Sequence, residues 1–496
     1  MKKVLTIIFD GFGIKDSEAG NAIKAAGMNV FNDFYDNNPH CLLSASEESV
    51  GLAPGQMGNS EIGHMTIGGG RKIRSNVDKI ADFFQCDNEQ INHLCSNKDR
   101  RIHIIGLCSD GNVHSSLEHF SLMYETLLKN GMKNIYFHLI TDGRDTQINV
   151  AYSYIKAINN MILKNKIGVI GTVCGRYYAM DRDENYDRTK LYYDLLTRGI
   201  GANVLNIEVA INNMYSKNIT DEFIKPIILD ENSIIKENDA IIWLNYRADR
   251  SKQILKAFGD IKFNSFPIKE FNNLDIYTWY SFDKSIKANV FIDEEVLDNP
   301  LGIYLSKLDL KQARIAESEK FAHVTYFFDG GYNGKISGVD KYHIPSPEVS
   351  TYDQKPEMSA VGVTKKAIDC MDKDYDFILV NFANPDMVGH TGDFEATTKA
   401  CMTLDICLGK ILEAAEDNFY TVVLLADHGN ADTMVNEDGS VCTTHSLSKV
   451  PFVISDNKIV LAKEGSLADV APTLLDYMDI AIPSQMTGQS LIVEKN

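Results

Sequence analysis

Aspartate and histidine fall close together in several short stretches of this sequence: Asp386 and His390 in NPDMVGHTG, Asp427 and His428 in ADHGNAD, and His445 in TTHS. A helix would place Asp386 and His390, four residues apart, on one face where both side chains can grip one ion. Asp427 and His428 are adjacent at the exit of an apolar run, where strand alternation no longer forces neighbours apart. With Asp10, from IIFDGFG at the other end of the chain, the set holds three carboxylates, three imidazoles and no thiolate. Such hard donors suit divalent manganese or zinc better than copper(I) or an iron–sulfur cluster. Singly, each residue has an ordinary reading: an Asp-x-x-x-His pair is commonly a surface salt bridge, and Asp10 could cap the segment after it. Their joint placement at expected strand and helix ends points to a site for two metal ions.

A nucleophile is available nearby in sequence. In GLAPGQMGNSEIGHMTIGGGR, Pro54, Gly55 and Gly58 make a turn and Asn59-Ser60-Glu61 opens a helix, where free amides favour an anion. Ser60 alone reads most simply as an N-cap. Beside two metal ions its hydroxyl becomes acidic enough to attack phosphorus. Lys320, in AESEKFAHVTYFFDGG, is the candidate for neutralising a transferred phosphoryl group, against the rival of a surface lysine beside Glu319. His64 reads as packing or a hydrogen-bond partner, and His323 as a core histidine in an FAHVTYFF strand.

Arginines recur after apolar runs in the middle of the chain: Arg144 in DGRD, Arg176 and Arg182 in GRYYAMDRD, Arg247 and Arg250 in NYRADR. Guanidinium forks match carboxylate and phosphate geometry, so several converging forks make a pocket for a small anion. His114 in SDGNVHSS and Asp145 in GRDT add groups that can move a proton on a hydroxyl acid, or could instead cap the helices that follow. Arg188 and the acids of DRDENYDR read as solvated surface.

The elements that must hold these residues are short apolar strands. VLTIIFDG, DFILVNFANPD and FYTVVLLADHG each release an acid at the strand's carboxyl end, where open α/β sheets put their chemistry. RIHIIGLCSDG, NIYFHLITDG, KIGVIGTVCG and DAIIWLNYRADR repeat the rhythm in the middle, separated by helix-length stretches. The expected fold is α/β, with one domain from residues 1–74 and 300–496 and a second, inserted at 75–299. At 496 residues two domains are the natural expectation. The net charge of −19 disfavours nucleic-acid and anionic-membrane partners, yet leaves a local basic pocket free to take an anion. Nine scattered cysteines imply no disulfide framework, and the first apolar run ends too soon for a signal peptide. The cytoplasm is the expected compartment, and a monomer the expected state.

In order and spacing, DGFG, MGNSEIGHMTIGGGR, SDGNVHSS, TDGRDT, GRYYAMDRD, NYRADR, ESEKFAHVTYFFDGG, NPDMVGHTG, ADHGNAD and TTHS resemble the cofactor-independent, that is 2,3-bisphosphoglycerate-independent, phosphoglycerate mutases of the alkaline phosphatase superfamily. The resemblance runs over essentially the whole chain. It implies an alkaline phosphatase-like domain carrying an inserted transferase domain. It assigns one metal to Asp386, His390 and His445 and the other to Asp10, Ser60, Asp427 and His428, manganese being typical. It sets His114, Arg144, Asp145, Arg176, Arg182, Arg247, Arg250 and Lys320 around the substrate. The implied reaction interconverts 3-phosphoglycerate and 2-phosphoglycerate, in glycolysis and gluconeogenesis, through phosphoserine on Ser60 and without bisphosphoglycerate. His114 or Asp145 would assist proton transfer. Asn112 stands where that family commonly has glycine, Asp329 where asparagine often precedes Gly-Gly, and QIN follows Asp145-Thr146 where prolines are common. A metal-dependent phosphatase or phosphopentomutase is the nearest rival, and a non-catalytic binding protein of the same fold the more distant one.

Overall fold

The computed structural model describes residues 2–74, 76–293, 296–436 and 438–495. The chain divides into two compact units, residues 1–75 with 295–496 and residues 76–294, so the second lies within the sequence of the first.

The first unit is built on an eight-stranded sheet. From edge to edge its strands are Val339–Ile344, Gln312–Glu317, Phe377–Phe382, Lys3–Phe9, Tyr420–Leu425, Val450–Ile454, His40–Ser44 and Glu464–Ser466. The central strands are parallel, with Val4 opposite both Phe377 and Thr421. FILVNF is buried throughout and KVLTIIF from Val4 onward, as expected where both faces of a parallel sheet are covered. The helices Ala360–Met371 and Phe394–Asp417 pack against each other, and Asn29–Asn37 packs on the second of them. Met28, at the start of Asn29–Asn37, caps nothing with its side chain. Asp405 of the long helix takes that role, accepting from Val30 N at 3.1 Å and Phe31 N at 2.8 Å, so helix start and packing are fixed by one carboxylate.

The second unit repeats the plan. Its sheet runs Asn289–Val290, Asp275–Thr278, Ala240–Trp243, Arg101–Cys108, Asn134–Thr141, Val169–Gly175, Ile227–Ile228 and Ala202–Asn203. The middle apolar runs of the sequence are its four adjacent parallel strands. Polar side chains cross this sheet in a closed chain: Asp239 Oδ2 to His103 Nε2, His103 Nδ1 to His138 Nε2 and His138 Nδ1 to Thr172 Oγ1, each 2.9 Å. Among the described residues no helix is long and apolar enough to cross a membrane.

One expected strand is absent. FAHVTYFF is not extended; His323–Phe327 is helical, entered through the turn Ser318–Lys320 and held by Thr325 Oγ1 on Phe321 O at 2.7 Å. A short run of aromatic and β-branched residues buries equally well as one helix face, and length alone does not separate the two. Two of the departures noted in the sequence acquire physical meaning. Asn112 has φ +52°, a left-handed conformation that glycine adopts freely and asparagine tolerates. Asp329 is fully buried with Arg314, whose Nη2 stands 3.7 Å from Asp329 Oδ1, and the guanidinium lies over the rings of Phe328 and Phe377. Without Asp329 the Arg314 charge would keep only the neutral Gln312 Oε1, to which Nη2 donates at 2.7 Å, and no buried counter-charge among the described residues. Asp329→Ala should therefore cost about 3–5 kcal/mol in urea unfolding at neutral pH, whereas a loss below about 1 kcal/mol would show the pair to be unimportant.

Candidate active site

In the first unit four neighbouring parallel strands deliver chemistry at their carboxyl ends. Lys3–Phe9 is followed by Asp10, Tyr420–Leu425 by Asp427 and His428, Phe377–Phe382 by Asp386 in the helix Asn384–Gly389, and Gln312–Glu317 by Lys320. Asp10 and Asp427 are fully buried, Asp386 and Lys320 nearly so. Gly11 has φ +75°, and a Cβ there would come within 2.7 Å of Asp386 Cα, so glycine is what lets Asp10 and Asp386 meet.

Ser60 opens the helix Ser60–Gly69, but Asn59 is the residue that caps it, accepting from Ile62 N at 3.0 Å. The Ser60 hydroxyl is thereby released from the capping role that the sequence alone favours. Its oxygen accepts from Lys320 Nζ at 2.7 Å, and its proton faces Asp10 Oδ1 at 3.1 Å and His428 Nε2 at 2.9 Å. A Cβ at Gly63 would approach Asp427 O to 2.8 Å, so this glycine permits the helix to lie against the strand end that carries Asp427.

The imidazoles are held by backbone carbonyls. His390 Nδ1 donates to Thr443 O and His445 Nδ1 to Gly58 O, each at 2.7 Å. That turns both Nε2 atoms to the inner side, free to act as ligands where the ring is neutral. The two Nε2 atoms face each other at 3.1 Å and stand 3.2 and 3.3 Å from Asp386 Oδ1. Together with Asp386 they form a compact set of ligand atoms into which a cation fits. Buried Asp427 Oδ2 accepts no hydrogen bond of good geometry. Donor atoms of Asp10, Asp427 and His428 lie within 4.8 Å of one another, as do those of Asp386, His428 and His445. Two candidate metal clusters thus share His428, with His390 beside the second, and their oxygen and nitrogen donors fit divalent ions.

Lys320 compensates these acids. Its Nζ also donates to Asp10 Oδ1 at 2.7 Å and Asp386 Oδ2 at 2.6 Å. Burial pulls its pKa down, but Asp10, Asp386 and Asp427 outweigh that and hold the ammonium well above its usual range. Burial and the neighbouring Asp427 push Asp10 up to about 6 despite Lys320.

Two further groups hold the cluster without any local signal in the sequence, and a third has two readings there. Asn381, inside its strand, donates to Asp10 Oδ2 at 2.8 Å. Asn430 donates to Asp386 Oδ1 at 3.1 Å. His64 bonds Ser60 O at 2.9 Å and stands 3.2 Å from Asp427 Oδ2, so of its two readings the hydrogen-bond partner is the one observed.

The second unit gathers its expected residues beyond the carboxyl ends of its parallel strands. Arg176, 2% exposed, donates through Nη1 to Asp142 Oδ1 at 2.6 Å and to Asp145 Oδ2 at 2.5 Å. Arg182 Nη1 reaches Asp249 Oδ2 at 2.9 Å, and Arg247 Nε stands 3.6 Å from Asp249 Oδ1. Arg250 Nη1 donates to Met180 O at 3.0 Å, while Arg144 pairs with Glu222 and is mostly exposed. Burial, then Arg182, Arg176 and Arg144, lower the Arg250 pKa; these guanidiniums share one positive field. His114 Nε2 lies 4.0 Å from Asp145 Oδ2. Ser116, not His114, caps the following helix Leu117–Lys129. Arg188 is held by Asp181 at 3.1 Å and lies over Tyr177. Asp181 is not solvated surface, as the charge-dense stretch suggests, but buried, accepting from Asn185 N at 2.9 Å and Gln253 Nε2 at 3.0 Å, because a carboxylate with that many donors can anchor the loop from inside.

A fold and site of this kind match the family described as the Metalloenzyme superfamily over residues 2–482. Among curated relatives, the 2,3-bisphosphoglycerate-independent phosphoglycerate mutase of Clostridium kluyveri is 42% identical, with 99% of each chain covered. That of Staphylococcus saprophyticus is 40% identical, with 98% of each covered. The Leishmania mexicana phosphoglycerate mutase crystallised at low cobalt concentration superposes with a TM-score of 0.76 at 27% identity, covering 100% of this chain and 98% of that one. The chain belongs to the 2,3-bisphosphoglycerate-independent phosphoglycerate mutases.

Removing the Lys320 charge exposes the cost of this arrangement. Metal-free Lys320→Met should melt below the wild type at pH 8, where the ammonium is present and the carboxylates are ionised. The gap should narrow toward pH 5, as the uncompensated acids bind protons instead. Calorimetric scans giving equal melting temperatures at pH 8 would contradict this.

Proposed function

We infer that this enzyme is an isomerase that interconverts 3-phosphoglycerate and 2-phosphoglycerate through a phosphoserine at Ser60, with no bisphosphoglycerate cofactor. The observation that carries it is the Ser60 hydroxyl, held at once by Lys320, Asp10 and His428 in a chain of this family.

Asp386, His390 and His445 would hold one divalent ion and Asp10, Ser60, Asp427 and His428 the other, manganese being the preferred metal. Bound there, the ions lower the pKa of the serine hydroxyl and neutralise phosphoryl oxygens. Lys320 donates to Ser60 Oγ and so stabilises its ionised form as well as incoming phosphate charge. In the first transfer, Ser60 Oγ bonds to phosphorus as the bond to the glycerate oxygen breaks, and that oxygen takes a proton. In the second, the other glycerate hydroxyl gives up its proton and bonds to phosphorus while the bond to Ser60 Oγ breaks. Arg144, Arg176, Arg182, Arg247 and Arg250 would clamp the anion. His114 and Asp145 would handle the hydroxyl protons, and residues 76–294 would act as the transferase domain. Hydrolysis alone would not need such a pocket, which favours a mutase over a phosphatase. With a net charge of −19 supporting the absence of nucleic-acid and membrane partners, we place the enzyme in the cytoplasm as a monomer.

Metal-depleted protein refilled with manganese should convert 3-phosphoglycerate to 2-phosphoglycerate without added bisphosphoglycerate; predominant release of inorganic phosphate would favour a phosphatase. Ser60→Ala should keep its fold by circular dichroism yet lose at least ~10³-fold in kcat. Full activity in that variant would remove the covalent intermediate.

A further inference from the structure

We propose that Asp249 is a positioning residue that sets the tautomer of His114, aiming a bare Nε2 at the substrate pocket. This rests on the mutase reading above.

His114 is 4% exposed. Its Nδ1 stands 3.8 Å from Asp249 Oδ1, and neither atom, both buried, has a hydrogen-bond partner. A buried ring nitrogen and a buried carboxylate oxygen, both unpartnered and facing each other, are costly, and a shift of about 1 Å would bring the two to bonding distance. The backbone joins the segments that carry them: Tyr246 N donates to His114 O at 2.8 Å and Tyr246 Oη to Asn112 O at 2.6 Å.

Asp249 is suited to the role because it stays charged. Burial raises its pKa, but the charges of Arg247 and Arg182 and the hydrogen bond from Arg182 are among the contacts that bring it below the usual carboxylate value. Carboxylates face both ring nitrogens, but Asp145 Oδ2, on the Nε2 side, is already taken by Arg176, so Asp249 draws the proton to Nδ1 and the lone pair falls on Nε2. The ring itself is kept neutral: burial lowers its pKa to about 4, with Arg247 and Arg176 lowering and Asp249 and Asp145 raising it. A neutral imidazole with free Nε2 can take the glycerate hydroxyl proton as that oxygen bonds to phosphorus and the electron pair of the breaking bond passes to Ser60 Oγ. In the opposite transfer it returns the proton to the glycerate oxygen.

The rival role for Asp249 is to anchor Arg182 and Arg247 for substrate binding, which would appear in KM. Asp249→Asn should instead lower kcat by ~10²-fold, with KM for 3-phosphoglycerate within about threefold, because the amide can donate to Nδ1 and reverse the tautomer. Asp249→Glu should recover part of kcat. Independently of activity, ¹⁵N spectra of metal-free protein, with His114 assigned by comparison with His114→Gln, should show Nδ1–H in the wild type and Nε2–H in Asp249→Asn. Nε2–H in the wild type, an unchanged kcat in the Asn variant, or a loss confined to KM would overturn the proposal. If the wild type makes no 2-phosphoglycerate the mutase reading fails, whereas the ¹⁵N result still decides whether Asp249 and His114 are paired.

Discussion

Three carboxylates buried around one serine are the constraint on which the first unit depends. Asp10, Asp386 and Asp427 are each at most 2% exposed, and ionised carboxylates in such surroundings are costly unless cations meet them. Lys320 supplies one positive charge against three negative ones. Asp10 bears the shortfall, its pKa pushed to about 6 by burial and by Asp427. The same imbalance that destabilises the metal-free cluster gives divalent ions their purchase. Asn381, Asn430 and His64 hold the cluster without adding negative charge. Nucleophile activation and metal affinity thus have one electrostatic source.

Both units meet the problem of placing distant residues in the same way. A parallel sheet buried on both faces needs nearly continuous apolar strands, which leaves polar groups only at the ends and in the loops. Four adjacent strands in each unit release their functional side chains at the carboxyl edge. Lys3–Phe9 and Tyr420–Leu425 are neighbours in the sheet although more than four hundred residues apart in sequence, so the cluster exists only if the chain closes on itself. A slip of one residue in that register would exchange the sheet faces of the strand and misplace Asp10 relative to Asp427.

This explains what could be read from the sequence. Apolar runs ending in Asp10, Asp427 or Arg176 are local signals, and they mark strand and site together. Less was legible where one residue type serves several uses. Ser60 looked like a cap because the helix start is local information, whereas its release from that role depends on Asn59 taking it. Asn381 is hidden inside an apolar strand, where its neighbours announce burial and nothing announces Asp10 beside it. Asp249 sits between two arginines of NYRADR, a setting that draws attention to the arginines. Only the folded loops show that its carboxylate also faces His114. FAHVTYFF reads as a strand yet folds as a helix, because apolar composition reports burial and leaves the backbone free to choose.

The net charge of −19 and an anionic substrate are compatible because screening confines surface fields to about 8 Å at physiological salt. Over so short a range the local set counts, and the second unit carries Arg144, Arg176, Arg182, Arg247 and Arg250 beyond its strand ends. Their exposure divides the labour: Arg176 is 2% exposed and locked between Asp142 and Asp145, whereas the side chains of Arg144, Arg182 and Arg247 are 48–57% exposed. A buried, paired guanidinium is preorganised and loses little freedom on meeting the anion, while exposed ones give up side-chain entropy when they close on it. In the proposed clamp Arg176 would accordingly fix where the anion sits, and the outer arginines how firmly it is held. Asp249 stands between two of these outer forks, Arg182 and Arg247, and His114, so the carboxylate that would steady the proposed clamp also faces the ring that would move the proton.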